Sequence, residues 1–219
     1  MKKVLFLALA VLVAGSAPAH ADSDLSGYFN ADNWYLMYLS TDDSQLGTFI
    51  GNSDMGEFDW ASSENIGNWN ITLTPGVTNY LHIVAWDDNH EIAGVLGDIH
   101  LNDSNFVFSN GTTSLLTNTE DWTVRVGSFE TSPVSIVNAG GFVNGSTDSP
   151  WYQFLGGPIP NISGDAMMIW TAEDGYRDLG QVRYISTAIN TVPEPVSTAL
   201  FILGGATLAV RRLRKGRKA

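Results

Sequence analysis

Between residues 25 and 191 apolar side chains alternate with polar ones or gather in short runs, separated by clusters of Gly, Asn, Asp and Ser. Helical spacing is scarce there. A period of two with frequent turn residues calls for many short strands, each with one face to bury. The pattern predicts strands at 34–40, 69–73, 80–86, 94–101, 105–108, 122–126, 134–137, 167–171 and 181–185. In 69–73 the apolar residues Trp69, Ile71 and Leu73 fall on one face. Thr74-Pro75-Gly76 and Asn110-Gly111 are suited to tight reversals. Glycine and proline interrupt 131–165 so often that long loops over one end are expected there, with residues 182–184 as a closing strand. The expected fold is all-β, an antiparallel β-sandwich with a Trp- and Phe-rich core.

A chain of 219 residues makes one domain, or at most two small ones, once its ends are processed. Cysteine is absent, which removes disulfides, zinc-thiolate sites and cysteine nucleophiles from consideration. Charge is divided by region. Residues 22–192 hold three arginines against 22 acids, a net charge of −19, whereas the remaining lysines and arginines sit at the two ends. Such an acidic body repels nucleic acid and anionic lipid, and it suits divalent cations. Nucleic-acid binding is therefore not expected.

The N-terminus has the order that export requires: Lys2-Lys3, an apolar run over 4–14, and Ala19-His20-Ala21. This reads as a signal peptide, 1–21, cut by signal peptidase after Ala21, with an uncleaved anchor as the alternative. At the other end Pro193-Glu194-Pro195 precedes an apolar run over 196–210 and then Arg211-Arg212 and further basic residues. Fifteen residues of helix reach about 22 Å, short of a ~30 Å hydrocarbon layer, but snorkelling arginines and local thinning tolerate the mismatch. The basic cluster would keep this end in the cytoplasm while the segment enters the inner membrane.

The order of Pro193-Glu194-Pro195, a short hydrophobic helix and a tail led by Arg211 and Arg212 resembles the PEP-CTERM sorting signal, here over 192–219. The resemblance implies recognition and processing by an exosortase near the Pro-Glu-Pro triplet, in a Gram-negative bacterium that makes exopolysaccharide or biofilm matrix. An ordinary tail anchor is the alternative. Those motif residues would be an enzyme's substrate rather than a catalytic site.

A second resemblance runs from Phe29-Asn30-Ala31-Asp32-Asn33-Trp34-Tyr35-Leu36-Met37-Tyr38-Leu39 through Trp69 and Leu73-Thr74-Pro75-Gly76-Val77-Thr78-Asn79-Tyr80-Leu81-His82-Ile83-Val84-Ala85-Trp86-Asp87 to Ala93-Gly94-Val95-Leu96-Gly97. It is similar to the galactose-binding-like jelly rolls attached to secreted glycosidases and adhesins, and it covers roughly residues 25–126. It implies a jelly-roll-like sandwich over 22–191 and contact with a glycan.

Chemistry-bearing clusters are few. Asp87, Asp88 and Asn89 crowd hard oxygen ligands into one loop, as calcium prefers, although the spacing is not that of an EF-hand and a solvated acidic turn is the competing reading. Asp42-Asp43 and Asp32-Asn33 are weaker versions of the same pattern. His82, His90 and His100 lie in no zinc spacing, and no G-x-S-x-G elbow or phosphate-cradling loop is present. An enzyme is not expected. Sugars stack their apolar faces on aromatic rings, so Trp60, Trp151 and Tyr152, in predicted loops, are the candidate glycan-binding residues. The expectation is an exported, non-enzymatic cell-surface or matrix protein associated with exopolysaccharide. Alternatives are a carbohydrate-binding module, with calcium as its candidate cofactor, and a secreted glycoside hydrolase.

Overall fold

The computed structural model describes residues 21–32, 34–53, 64–65, 69–86, 93–171 and 182–192. They form β1 (Ala21–Asp32), β2 (Trp34–Ser40), β3 (Thr48–Asn52), β4 (Glu64–Asn65), β5 (Trp69–Leu73), β6 (Asn79–Trp86) and β7 (Gly94–Leu101). There follow β8 (Phe106–Phe108), β9 (Ser114–Leu116), β10 (Thr123–Val126), β11 (Ile136–Val143), the helix α1 (Pro150–Leu155), β12 (Met167–Thr171) and β13 (Arg183–Thr191). All strand pairs are antiparallel. One sheet, A, has the order β11-β12-β7-β1-β4, with β5 also on β1 and β9 also on β7. The other, B, has the order β10-β13-β6-β2-β3, with β8 also on β13.

The two inner faces follow from alternation. In sheet A, Leu25, Phe29 and Ala31 of β1 lie opposite Leu101, Gly97 and Val95 of β7, and all are buried. In sheet B, Tyr35 and Met37 lie opposite Ala85 and Ile83, which in turn neighbour Arg183 and Ile185. The sheets meet where the Phe29 and Tyr35 rings touch edge to face, 5.0 Å between centroids. Each Leu, Ile or Phe fully buried in this way contributes roughly 1.5–3 kcal/mol. Two glycines make the close approach possible. A Cβ at Gly27, whose φ is +127°, would meet the Asp98 carbonyl oxygen at 2.1 Å, and one at Gly97 would meet the Phe29 ring at 2.6 Å.

Four predicted strands, 34–40, 69–73, 94–101 and 167–171, coincide with β2, β5, β7 and β12. Elsewhere tertiary pairing redraws the map. The predicted closing strand at 181–185 is the nine-residue β13, central in sheet B between β10 and β6. The 131–165 stretch is not loop throughout, because it contains all of β11, which pairs with β12, and the helix α1. Strands β1, β3, β4 and β9 lack a clear sequence signal. Ala21, expected as the last residue of the signal peptide, stands opposite Leu73 at the start of β1. Asn110-Gly111 makes the expected tight reversal, the Gly111 N–H donating to the Phe108 carbonyl and the Phe108 N–H to that of Thr112, and carries the chain from β8 in sheet B to β9 in sheet A. Among the described residues no helix is long and apolar enough to cross a membrane, and 196–210 lies outside them.

Candidate functional site

The outer faces of the two sheets are finished differently. Over sheet A the chain from 143 to 166 folds back as a cover. Asn144 anchors it with a buried amide: Nδ2 donates to the carbonyls of Ile159 and Ile162, while Oδ1 accepts from the Ile159 N–H. Helix α1, begun by Pro150 and ended by Gly156 in the left-handed conformation (φ 73°), places Trp151 inside. Trp151 is 1% exposed, and its indole N–H points to Asp32 Oδ2 at 3.4 Å. The expectation that Trp151 is an exposed loop aromatic is therefore corrected. Its neighbour Tyr152 remains half-buried on the helix. A ring enclosed on both faces cannot stack on a sugar, and the signal that misled was Pro150, read as loop punctuation when it opens a helix.

Sheet B carries its aromatics outward instead. Strand register puts Trp34 opposite Trp86, Leu36 opposite Val84 and Tyr38 opposite His82, all on the face away from the core. Tyr184 stands beside Val84, and Ser186 beside His82, on β13. The Trp34 and Trp86 rings lie 5.8 Å apart at 36°, and Tyr38 meets Phe49 of β3 edge to face at 5.6 Å. Trp34, Trp86, Tyr38, Tyr80 and Tyr184 are half-buried, and Phe49 is 51% exposed. Strand tryptophans were expected to be mostly core; these two show that alternation within a strand sends every second one outward.

The middle of this face has a partial roof. Phe129, on the turn after β10, sits over His82 at 4.8 Å and near Tyr184 at 5.6 Å, with the Arg125 guanidinium 5.1 Å from its ring centroid. Arg125 in turn holds Asp43 of the β2–β3 turn, Nη2 to Oδ2 2.7 Å. Beneath them His82 is fully buried, and its Nδ1 is 2.8 Å from Ser186 Oγ. Burial pushes the His82 pKa down to about 4; Arg125 acts in the same direction, while Asp43 and the nearby carbonyls of Asp42 and Gln45 oppose it. Nε2 has no hydrogen-bond partner in good geometry among the described residues, so His82 is a neutral, half-satisfied sheet residue. Although His82 and Ser186 form a hydroxyl–imidazole pair, both are closed to solvent, so the pair offers no nucleophile to a substrate.

The other sequence candidates separate. Asp42 closes its own turn, its carboxylate accepting from the Ser44 N–H and hydroxyl, which lower its pKa. Asp32 lies with Trp151, and His100 is held by Ser114 and Asp98 on the surface. Asp42-Asp43 and Asp32 are thus engaged in structure rather than gathered around an ion. Among the described residues no group of three potential ligands is placed for a metal. Trp60, Asp87, Asp88, Asn89, Ala19, Pro193, Glu194, Pro195, Arg211 and Arg212 lie outside the described residues. Comparison with protein-family models, curated proteins and solved structures finds no match to this chain.

Proposed function

We propose that this is an exported, non-enzymatic surface or matrix protein, sorted by an exosortase, whose folded body contacts exopolysaccharide through the outer face of sheet B. The observation that carries the contact is the unequal finish of the two outer faces: one is covered, while the other presents Trp34, Trp86, Tyr38, Phe49, Tyr80 and Tyr184. Pyranose rings have an apolar side that packs on indole and phenol faces, and a row of such rings along a sheet suits a long polymer better than a small substrate. The jelly-roll resemblance of residues 25–126 supports the same reading. The sorting part rests on Pro193-Glu194-Pro195 and the basic tail. The contact is tested by retention of the exported protein on the producer's own exopolysaccharide. Trp86→Ala should weaken retention several-fold, while Phe154→Ala, an exposed ring on α1 under the other face, should leave it unchanged. Equal retention of both variants would remove the aromatic face from the reading, and release of reducing sugar would put a hydrolase in its place. Sorting is tested by mass spectrometry of surface-extracted protein, which should lack Leu213; its recovery there would rule out processing.

A further inference from the structure

At the edge of the sandwich, where β3 of sheet B faces β5 of sheet A, the two sheets leave a groove of about 620 Å³. We infer that this groove is a binding site for an uncharged sugar residue, an inference that rests on the glycan-contact reading and adds to it a second site and a ligand class. The size lies within the usual range of small-molecule sites, roughly 300–1,000 Å³. Its chemistry is narrower than its size.

In a body of net charge −19, none of the described residues lining the groove is charged. An anion would enter without a cation to pair with, against the field of the whole body, and would lose its hydration uncompensated. A cation would find no carboxylate in the lining. The walls instead combine apolar surface, from Ile50 and Ile71, with the hydroxyls of Thr41, Thr48 and Thr74, which make no side-chain hydrogen bond among the described residues. A purely apolar ligand would cover those hydroxyls and leave them unpaired. A neutral pyranose satisfies both sets, with one apolar side and a rim of hydroxyl groups. Phe49 belongs to the groove and to the outer face at once, lining the first and touching Tyr38 on the second. The groove is therefore continuous with the aromatic strip, and a chain lying on the strip can place one of its residues there.

The test uses the exported protein and calorimetric titration with neutral gluco-, galacto- and manno-oligosaccharides and with polygalacturonate. Thr48→Arg, from an exposed position on β3, would fill the groove, and Thr72→Arg would do so from the opposite wall. At least one neutral oligosaccharide should bind, with affinity lowered about tenfold or more by either variant and unchanged by Phe154→Ala on α1. Equal or tighter binding of polygalacturonate would overturn the inference. So would unchanged oligosaccharide binding by both folded variants, or variants whose only effect is on self-association through the β3 edge. If polysaccharide retention persists and still depends on Trp86 while the groove variants are silent, the groove fails and the sheet-face reading stands. If neither short nor long glycans bind, both fail together.

Discussion

The outer face of sheet A and that of sheet B end in opposite states. Tryptophan shows it best: Trp151 on the A side is 1% exposed, whereas Trp34 and Trp86 on the B side are half-buried. The difference lies in what the connecting chain does. On the A side 24 residues, 143–166, return across the sheet and are held by the Asn144 amide, and Trp151 loses its water to protein. On the B side, among the described residues, two turns reach over, meeting at Asp43, Arg125 and Phe129, and the rings around them keep one side available. The first arrangement spends aromatic surface on stability, and the second leaves it accessible.

The largest expected contrast comes from truncating one ring on each side. Trp151→Ala should lower unfolding free energy by about 3–5 kcal/mol, as for other large core aromatics, while Trp34→Ala should cost under about 2 kcal/mol. Urea unfolding of the protein measures both, and equal costs would mean that the B face is as enclosed as the A face. Next comes acid. His82 has a folded pKa of about 4 against 6.5 unfolded, so the unfolded chain takes the proton first. Its contribution is fully present above pH 6.5 and is lost as pH falls toward 4, by at most about 3 kcal/mol. Comparing wild type with His82→Gln at pH 7.5 and pH 4.5 isolates it: the wild type should lose more stability on acidification, and parallel losses would place His82 in contact with water.

A smaller effect is expected at the anchor of the A-side cover. Asn144→Ala leaves the Ile159 N–H and two carbonyls without their partner, at a cost of about 2 kcal/mol, and hydrogen exchange should rise first at 157–164. Smallest is the tie across the B-side roof. Asp43 is 40% exposed, so Asp43→Asn should cost only about 0.5 kcal/mol, with the difference shrinking in high salt. A salt-independent loss would point to packing of the turn rather than charge.

Much of the architecture was legible. Alternation located β2, β5, β6, β7, β10 and β12, because an amphipathic strand writes its period into the sequence whatever its partner. The short edge elements β3, β4 and β9 were not, since two to five residues held chiefly by backbone pairing need no distinctive side chains. Reading β13 as a short closing strand failed for a related reason: Ser186, Thr187 and Asn190 look like turn residues, and only the neighbouring β6, β8 and β10 make them strand.

The candidate site divides in the same way. That aromatic rings beside polar residues are this chain's best surface for a glycan could be argued from residue types alone. Which rings could not be, because the same Trp is core or surface according to what folds over it. Trp151 looked free beside Pro150 and is enclosed by its own segment; Trp34 and Trp86 looked like core and face outward, 5.8 Å apart. The sequence by itself determined strand character, the acidic body and the absence of cysteine, all local or compositional properties. Only the tertiary structure decided which sheet face is covered, because that depends on contacts between residues such as Asp32 and Trp151, 119 positions apart, which no local pattern records.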